Sequence, residues 1–274
     1  MTCLAQAEHT TYASQPDLLR VGETGTYRYR VELLRVVSPV VLEVGLVPAG
    51  LPVPYRPGQY VLVGSAQGDV PERAYSVANA PRADGRVRLL VTRYAGGVTS
   101  GWIHRGLARG DEVLLTGPYG TLVADPTRDG PVLLLAAGCG VAPISAVAES
   151  LVTDRPDRRV TLCFSGRTSA HVLQRARFEA MQRRHAQFRY VVTLTRDRTA
   201  PWHRRLPDLL GKLVGDLTAW EVLIAGNENF VRACRAEVQA LGAPAAAVRT
   251  EEFFADPVPW SDGLPPLASA ARTS

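Results

Sequence analysis

Residues 73–81 read RAYSVANAP, a stretch with the alternation of a strand running into a turn. A guanidinium grips a phosphate through two parallel hydrogen bonds. A phenol ring offers a flat apolar face to a fused ring system, and a nearby hydroxyl can hydrogen-bond a ring nitrogen. Arg73, Tyr75 and Ser76 supply all three within four residues. Those are the needs of a flavin nucleotide. An ordinary strand with an exposed arginine and a core tyrosine would read the same way.

Two glycine-rich turns carry related chemistry. In VLLLAAGCGVAPI a buried strand ends at Ala137, Gly138-Cys139-Gly140 turn, and a helix is expected to begin near Pro143. A helix N-terminus presents free N–H groups and positive dipole to a pyrophosphate. Proline suits the first turn, where its missing N–H costs nothing. The spacing is G-x-G-x-x-P rather than G-x-G-x-x-G, and a plain tight turn in an α/β sheet remains an alternative reading. The second turn is YAGGVTSGWIHRGL, with Gly96, Gly97, Val98, Thr99 and Ser100 opening the helical SGWIHRGL. Two phosphate cradles flanking an arginine and a ring platform imply two nucleotides.

These loops need elements to hold them. Residues 27–37, YRYRVELLRVV, set Tyr27, Tyr29, Val31 and Leu33 on one face and Arg28, Arg30 and Glu32 on the other. That is a half-buried antiparallel strand. Similar short strands are expected at 40–47, 60–64, 86–92 and 112–116, separated by turn-rich segments, which predicts a small barrel. From Pro131 the pattern changes to continuous apolar runs, VLLLAA, VTLCF, YVVTL and WEVLIA, with helical periods between them. Ile144, Val147, Ala148, Leu151 and Val152 share one helix face. Alternating strands and helices predict a doubly wound parallel sheet. The expected organisation is therefore an N-terminal extension over 1–25, an antiparallel β-barrel over 26–125, an α/β domain over 126–255 and a tail over 256–274.

The 274 residues carry a formal charge of +5, with Lys212 as the only lysine. The arginines are spread along the chain without basic runs interleaved with aromatics, which argues against nucleic-acid binding and fits an acidic protein partner instead. Cysteines at 3, 139, 163 and 234 show no C-x-x-C spacing, so neither zinc nor an iron–sulfur cluster is signalled. The first ten residues lack a secretory pattern. Residues 130–148 are uncharged but hold GCGVAP, which fits strand–turn–helix rather than a membrane span. A cytoplasmic protein is expected.

RPGQY (56–60), RAYSVANAP, GGVTS, TGPYG, GCGVAP and RTEEFF (249–254), in this order, resemble the ferredoxin–NADP reductase family, and in particular the oxygenase reductases. The resemblance covers about residues 26–255. It implies a six-stranded FAD barrel followed by an NAD(P) domain. Carried over residue by residue, it implies that Arg73 binds FAD phosphate, Tyr75 stacks on the flavin ring, and Ser76, followed by Val77, lies beside the reactive nitrogen. Gly97, Val98, Thr99 and Ser100 match the FAD pyrophosphate loop. Gly138, Cys139, Gly140 and Pro143 match the NAD(P) loop, and Glu251 and Phe253 match the C-terminal E-x-F/Y near nicotinamide and flavin. The sequence departs from the family at Cys139, usually threonine, at Ala137, usually glycine, and at Ala225-Gly226-Asn227, usually C-G-P.

The implied activity is passage of electrons from NAD(P)H through FAD to a separate acceptor, a ferredoxin or an oxygenase component. The alternative is a flavin-binding electron-transfer subunit of a larger complex, non-catalytic or poorly reduced by NAD(P)H, motivated by the missing cysteine at Ala225. Arg167 in SGRTS and Arg196 in TLTRDR, with no acid near the former, favour NADPH over NADH. Trp260 in the tail is expected near the flavin.

Overall fold

A computed structural model describes residues 24–253. The N-terminal extension, Cys3 and the tail with Trp260 lie outside them. The first half holds β1 (Gly25–Ser38), β2 (Val41–Pro48), β3 (Tyr60–Ser65), β4 (Arg73–Ser76), β5 (Val87–Thr92) and β6 (Glu112–Tyr119). They form one antiparallel sheet in the order β4-β3-β6-β1-β2-β5. Its two edges meet through a bridge between Val77 and Leu89, and the Ala78 amide donates to the Arg88 carbonyl at 2.7 Å, closing the barrel. A short helix, α1 (Val98–Arg105), packs Ile103 against the barrel core.

Alternation holds in β1 through Tyr29 and Val31, both buried. It fails at Leu33. A register shift against β2 between Val31 and Leu33 inserts a bulge, so Leu33 is 39% exposed while Leu34 packs on the core. An extra residue reverses the faces of everything after it. Tyr29 is fully buried, and its hydroxyl donates to the Gly85 carbonyl at 3.1 Å and accepts from the Val53 amide at 3.0 Å, which satisfies the one polar atom it takes inside.

The second half holds β7 (Val132–Ala137), β8 (Val160–Gly166), β9 (Phe188–Leu194), β10 (Glu221–Asn227) and β11 (Val248–Phe253), all parallel, in the order β11-β10-β7-β8-β9. Helices α2 (Val141–Asp154) and α3 (Arg175–Arg184) cover one face, while α4 (Leu210–Leu213) and α5 (Glu228–Ala240) cover the other. Successive residues of β7 serve opposite cores, Leu134 and Ala136 one, Leu133 and Leu135 the other. Burial on both faces is why such strands read as unbroken apolar runs. Edge strand β11 has no such run, because Arg249, Thr250, Glu251 and Glu252 stay partly or fully exposed. Helix α2 starts at Val141, two residues before the expected Pro143, and a single tight turn over Gly138–Gly140 leads into it.

The core on the α2 face continues into the barrel, taking in Val41, Ala78 and Leu90. The connector between β6 and β7 is held by a buried carboxylate. Glu221 accepts from Arg158 at 2.9 Å, from Arg249 at 2.7 Å and from the Asp125 amide at 2.7 Å. Three charge-assisted hydrogen bonds offset the cost of burying that anion.

Candidate functional site

Strand β4 pairs with β3 so that Arg73, Tyr75 and Ser76 lie opposite Val63, Val61 and Tyr60. The Arg73 guanidinium is exposed and donates to the neighbouring Glu72 carbonyl at 3.0 Å. Tyr75 is half-buried against the barrel core, with Arg73, Tyr94 and Cys139 near its hydroxyl, and burial pushes the phenol up to about 12. Ser76 points to the other face, 5% exposed, and its hydroxyl donates to Glu251 Oε1 at 2.8 Å. That contact joins the barrel to β11. The Val77 side chain lies in the barrel core, and its amide donates to the Gln59 carbonyl at 3.0 Å.

Burial pushes the Glu251 carboxyl up to about 7, against the opposing pull of the Ser76 hydrogen bond. The Tyr60 phenol faces it and is itself raised, by burial first and by Glu251 second. A titration near neutrality makes Glu251 able to hold or release a proton under working conditions.

The α1 end is built for an anion by its backbone. Gly97 is the N-cap and no side chain caps the first turn. Gly96 needs a positive φ of 75°, with open space where a Cβ would stand. The hydroxyls of Thr99 and Ser100 turn inward. Thr99 Oγ1 donates to the Pro71 carbonyl at 2.5 Å, and Ser100 Oγ accepts from the Tyr94 amide at 3.3 Å. They brace the loop. Beside it, Tyr94 and Val98 are 40% and 63% exposed, an apolar ledge next to a phosphate cradle.

A cleft of about 510 Å³ runs between the domains, bounded by Val41, Thr92 and Tyr94 on the barrel side and by the Gly138–Gly140 turn, Asn227 and Phe253 on the other. It lies where strand order reverses around β7 and β10, the usual ligand crevice of such sheets. Gly138 has φ of 56° and no neighbour within 4 Å of a built Cβ. At Gly140 a Cβ would stand 2.2 Å from the Ala225 carbonyl, so only glycine lets the turn cross β10. Cys139 Sγ lies 2.6 Å from Thr92 Oγ1, across the domain boundary, and burial raises the thiol to about 11. Such a thiol stays protonated and packs where a threonine would. Pro143 is buried in the first turn of α2 and does not line the cleft.

Arg167 lines the cleft, whereas Arg196 stands outside the lining, tied to it by its amide on the Arg167 carbonyl at 2.8 Å. His171 and Arg205 line the same end. Sequence reasoning missed both, since Arg205 lies in an irregular loop with no motif around it. The first turn of α1, the Arg73 guanidinium and the Tyr75 ring lie on the barrel, and the glycine turn before α2 faces Thr92 and Tyr94 across the cleft.

Two family descriptions match the chain, Oxidoreductase FAD-binding domain over residues 42–123 and Oxidoreductase NAD-binding domain over residues 134–236. This is an NAD(P)H-dependent FAD reductase. Ferredoxin–NADP reductase B of Sorangium cellulosum is 31% identical over 238 residues, 83% of this chain and 97% of its own length. The chain belongs to the ferredoxin–NADP reductase family. The aromatic O-demethylase reductase subunit of an Amycolatopsis strain is 34% identical over 184 residues, and the match spans 62% of this chain but 54% of that protein. Among solved structures, the Amycolatopsis cytochrome P450 reductase GcoB superposes with a TM-score of 0.79 at 27% identity, over 86% of this chain and 72% of the other.

Proposed function

We propose that the chain takes electrons from NADPH and passes them to a separate one-electron acceptor, a ferredoxin or an oxygenase component, in the cytoplasm. One observation carries this reading: the 2.8 Å hydrogen bond from Ser76 to Glu251 brings the strand of the ring platform to the strand that borders the coenzyme cleft. Residues 26–125 serve as the FAD unit and 126–255 as the NAD(P) unit.

Bound flavin supplies hydride acceptance and stepwise release of two electrons. The protein's part is placement. Arg73 holds a phosphate, Tyr75 backs the ring, and the amides of Val98, Thr99 and Ser100, turned into place by Gly97, receive the FAD pyrophosphate. The turn over Gly138, Cys139 and Gly140, with Pro143 behind it, receives the coenzyme pyrophosphate. Phe253 closes the cleft beside the ring face, and Glu251 with Ser76 manages a proton at its edge. Arg167, with His171 and Arg205, meets the extra phosphate of NADPH, and Arg196 supports that end from outside. The four cysteines are too dispersed to hold an iron–sulfur cluster in this chain, and relatives named as reductase components of oxygenases supply the partner class.

A second reading, a flavin subunit that coenzyme reduces slowly, draws on Ala225, buried where the family carries a thiol. Anaerobic titration decides. Bleaching of flavin absorbance by one equivalent of NADPH, followed by reduction of a ferredoxin or a one-electron dye, supports the first reading. Flavin that binds but resists both coenzymes supports the second, and a colourless protein that takes up no FAD sinks both.

A further inference from the structure

The run from Val77 to Ala80 is gripped by both domains in alternation. Asn79, 3% exposed, belongs to the barrel: its side chain donates to the Arg86 carbonyl at 3.1 Å and accepts from the Arg88 amide at 2.7 Å. Tyr55 adds a third tie, its hydroxyl donating to the Asn79 carbonyl at 3.1 Å. The residues on either side belong to the other domain. The Ala78 carbonyl accepts from Arg177 Nη1 at 3.0 Å and lies 2.8 Å from Ser145 Oγ, whose one proton it shares with the Ala142 carbonyl at 2.9 Å. The Ala80 amide donates to Glu149 Oε2 at 2.8 Å, and Glu149 pairs with Arg177.

Ser145 and Glu149 stand four apart on α2, on one helix face. Arg177 reaches them from α3 and is steadied by Gln174 Oε1 at 2.7 Å. Gln174 itself takes a positive φ of 56°, a conformation that a glutamine holds only when its surroundings fix it. The clasp therefore joins the barrel to two helices at one short segment.

Its position along the chain gives it a mechanical meaning. Ala78 lies two residues after Ser76, at the ring platform, and Ser145 lies two residues after Pro143, at the coenzyme turn. No side chain of the clasp lines the cleft. We propose that Ser145, Glu149 and Arg177 are positioning residues that set the registry of the nicotinamide turn over the flavin strand. This rests on the reading of the cleft as the place where the two rings meet. Hydride transfer demands reacting atoms about 3–3.5 Å apart, and a misplacement of about 1 Å costs on the order of a hundredfold in rate.

The test compares the full chain with R177M, R177K and E149Q on two readouts. The first is flavin bleaching at saturating NADPH, set against bleaching by dithionite, which needs no docked coenzyme. R177M is expected to slow the NADPH reaction about tenfold, leave the dithionite reaction and flavin content unchanged, and shift KM by less than the rate. R177K keeps a donor for the Ala78 carbonyl and is expected to recover most of the loss. The second readout needs no cofactor. A T92C substitution places a thiol opposite Cys139, and diamide oxidises the pair to a disulfide between the domains at a rate that reports their registry. R177M is expected to slow that closure, and R177K to restore it. Unchanged bleaching and unchanged closure, even with a lowered Tm, would overturn the proposal by showing the clasp to be structural only. If R177M does not fold, E149Q carries the same comparison, with about a threefold loss of both rates expected and equality with the parent counting against the clasp. A parent protein that neither coenzyme bleaches would defeat the proposed function, while the disulfide readout would still judge the clasp.

Discussion

The hydroxyl of Ser76 donates to the carboxylate of Glu251 at 2.8 Å across 175 positions of sequence. It ties β11, the last strand among the described residues, to the strand that carries Tyr75. Glu251 gives up water for this place, and burial holds its proton to about pH 7.

That shift fixes a direction for pH dependence. In the unfolded chain the carboxyl releases its proton near 4.5, whereas the folded protein keeps it to about 7. The folded state thus binds the extra proton, so stability is greatest below pH 4.5 in this term and declines as pH rises toward 7. E251Q is expected to flatten that slope in thermal melts of the apo protein between pH 5 and 8. It is also expected to remove the group near 7 from the pH profile of kcat. A profile that keeps the same inflection assigns it elsewhere.

Gly140 tests the coenzyme turn. An added Cβ would stand 2.2 Å from the Ala225 carbonyl, and backbone cannot swing away as a side-chain tip can. G140A is expected to cost about 1–3 kcal/mol in denaturant unfolding and to raise the KM for coenzyme. FAD content should stay near parent level, because that dinucleotide sits in the other domain.

Arg73 tests the flavin site. Its exposed guanidinium donates to the exposed carbonyl of neighbouring Glu72, so its removal strands no buried partner there. A charge-assisted hydrogen bond to phosphate contributes about 1.5–3 kcal/mol. R73A is therefore expected to weaken FAD binding between ten- and a hundredfold in calorimetry, with the apo Tm within a degree or two of the parent.

Coenzyme choice separates the arginines at the cleft. R167A and R205A, both on the lining, are expected to raise the KM for NADPH about tenfold and leave NADH within twofold. R196A, outside the lining, should do less. Equal effects on both coenzymes would remove these residues from phosphate recognition.

Glu221 carries the strongest prediction on stability. Its carboxylate is buried with Arg158, whose side chain is 3% exposed. E221A would leave that cation buried without its partner, at a cost of about 3–5 kcal/mol. E221Q keeps part of the hydrogen bonding and should cost less. Chemical denaturation of the two variants side by side measures the difference.

Much of this was legible in the residues. Apolar runs gave four of the five parallel strands, because burial on both faces leaves a continuous signal. Strand β11 carried only a motif, RTEEFF, since an edge strand of mixed polarity has no periodicity to read. Leu33 was placed on the wrong face because a bulge leaves no mark in alternation. The partners of the Thr99 and Ser100 hydroxyls were not legible for another reason: a hydroxyl's type shows that it can hydrogen-bond, and its partner depends on where Pro71 and Tyr94 fold. The clasp at Ala78 and Ala80 had no sequence signature, because it is made by backbone groups of two alanines with side chains 67 to 99 positions away.

The anion at Glu221 reaches the interdomain connector, the loop between α2 and β8, and the edge strand together, through the Asp125 amide, Arg158 and Arg249. Recombination between relatives therefore has a seam that is not free to fall anywhere between the two halves. A hybrid that inherits the loop around residue 125 from one parent and the strand around residue 249 from another would carry mismatched ends of a single lock, and exchanging the halves intact would succeed only where both ends travel together.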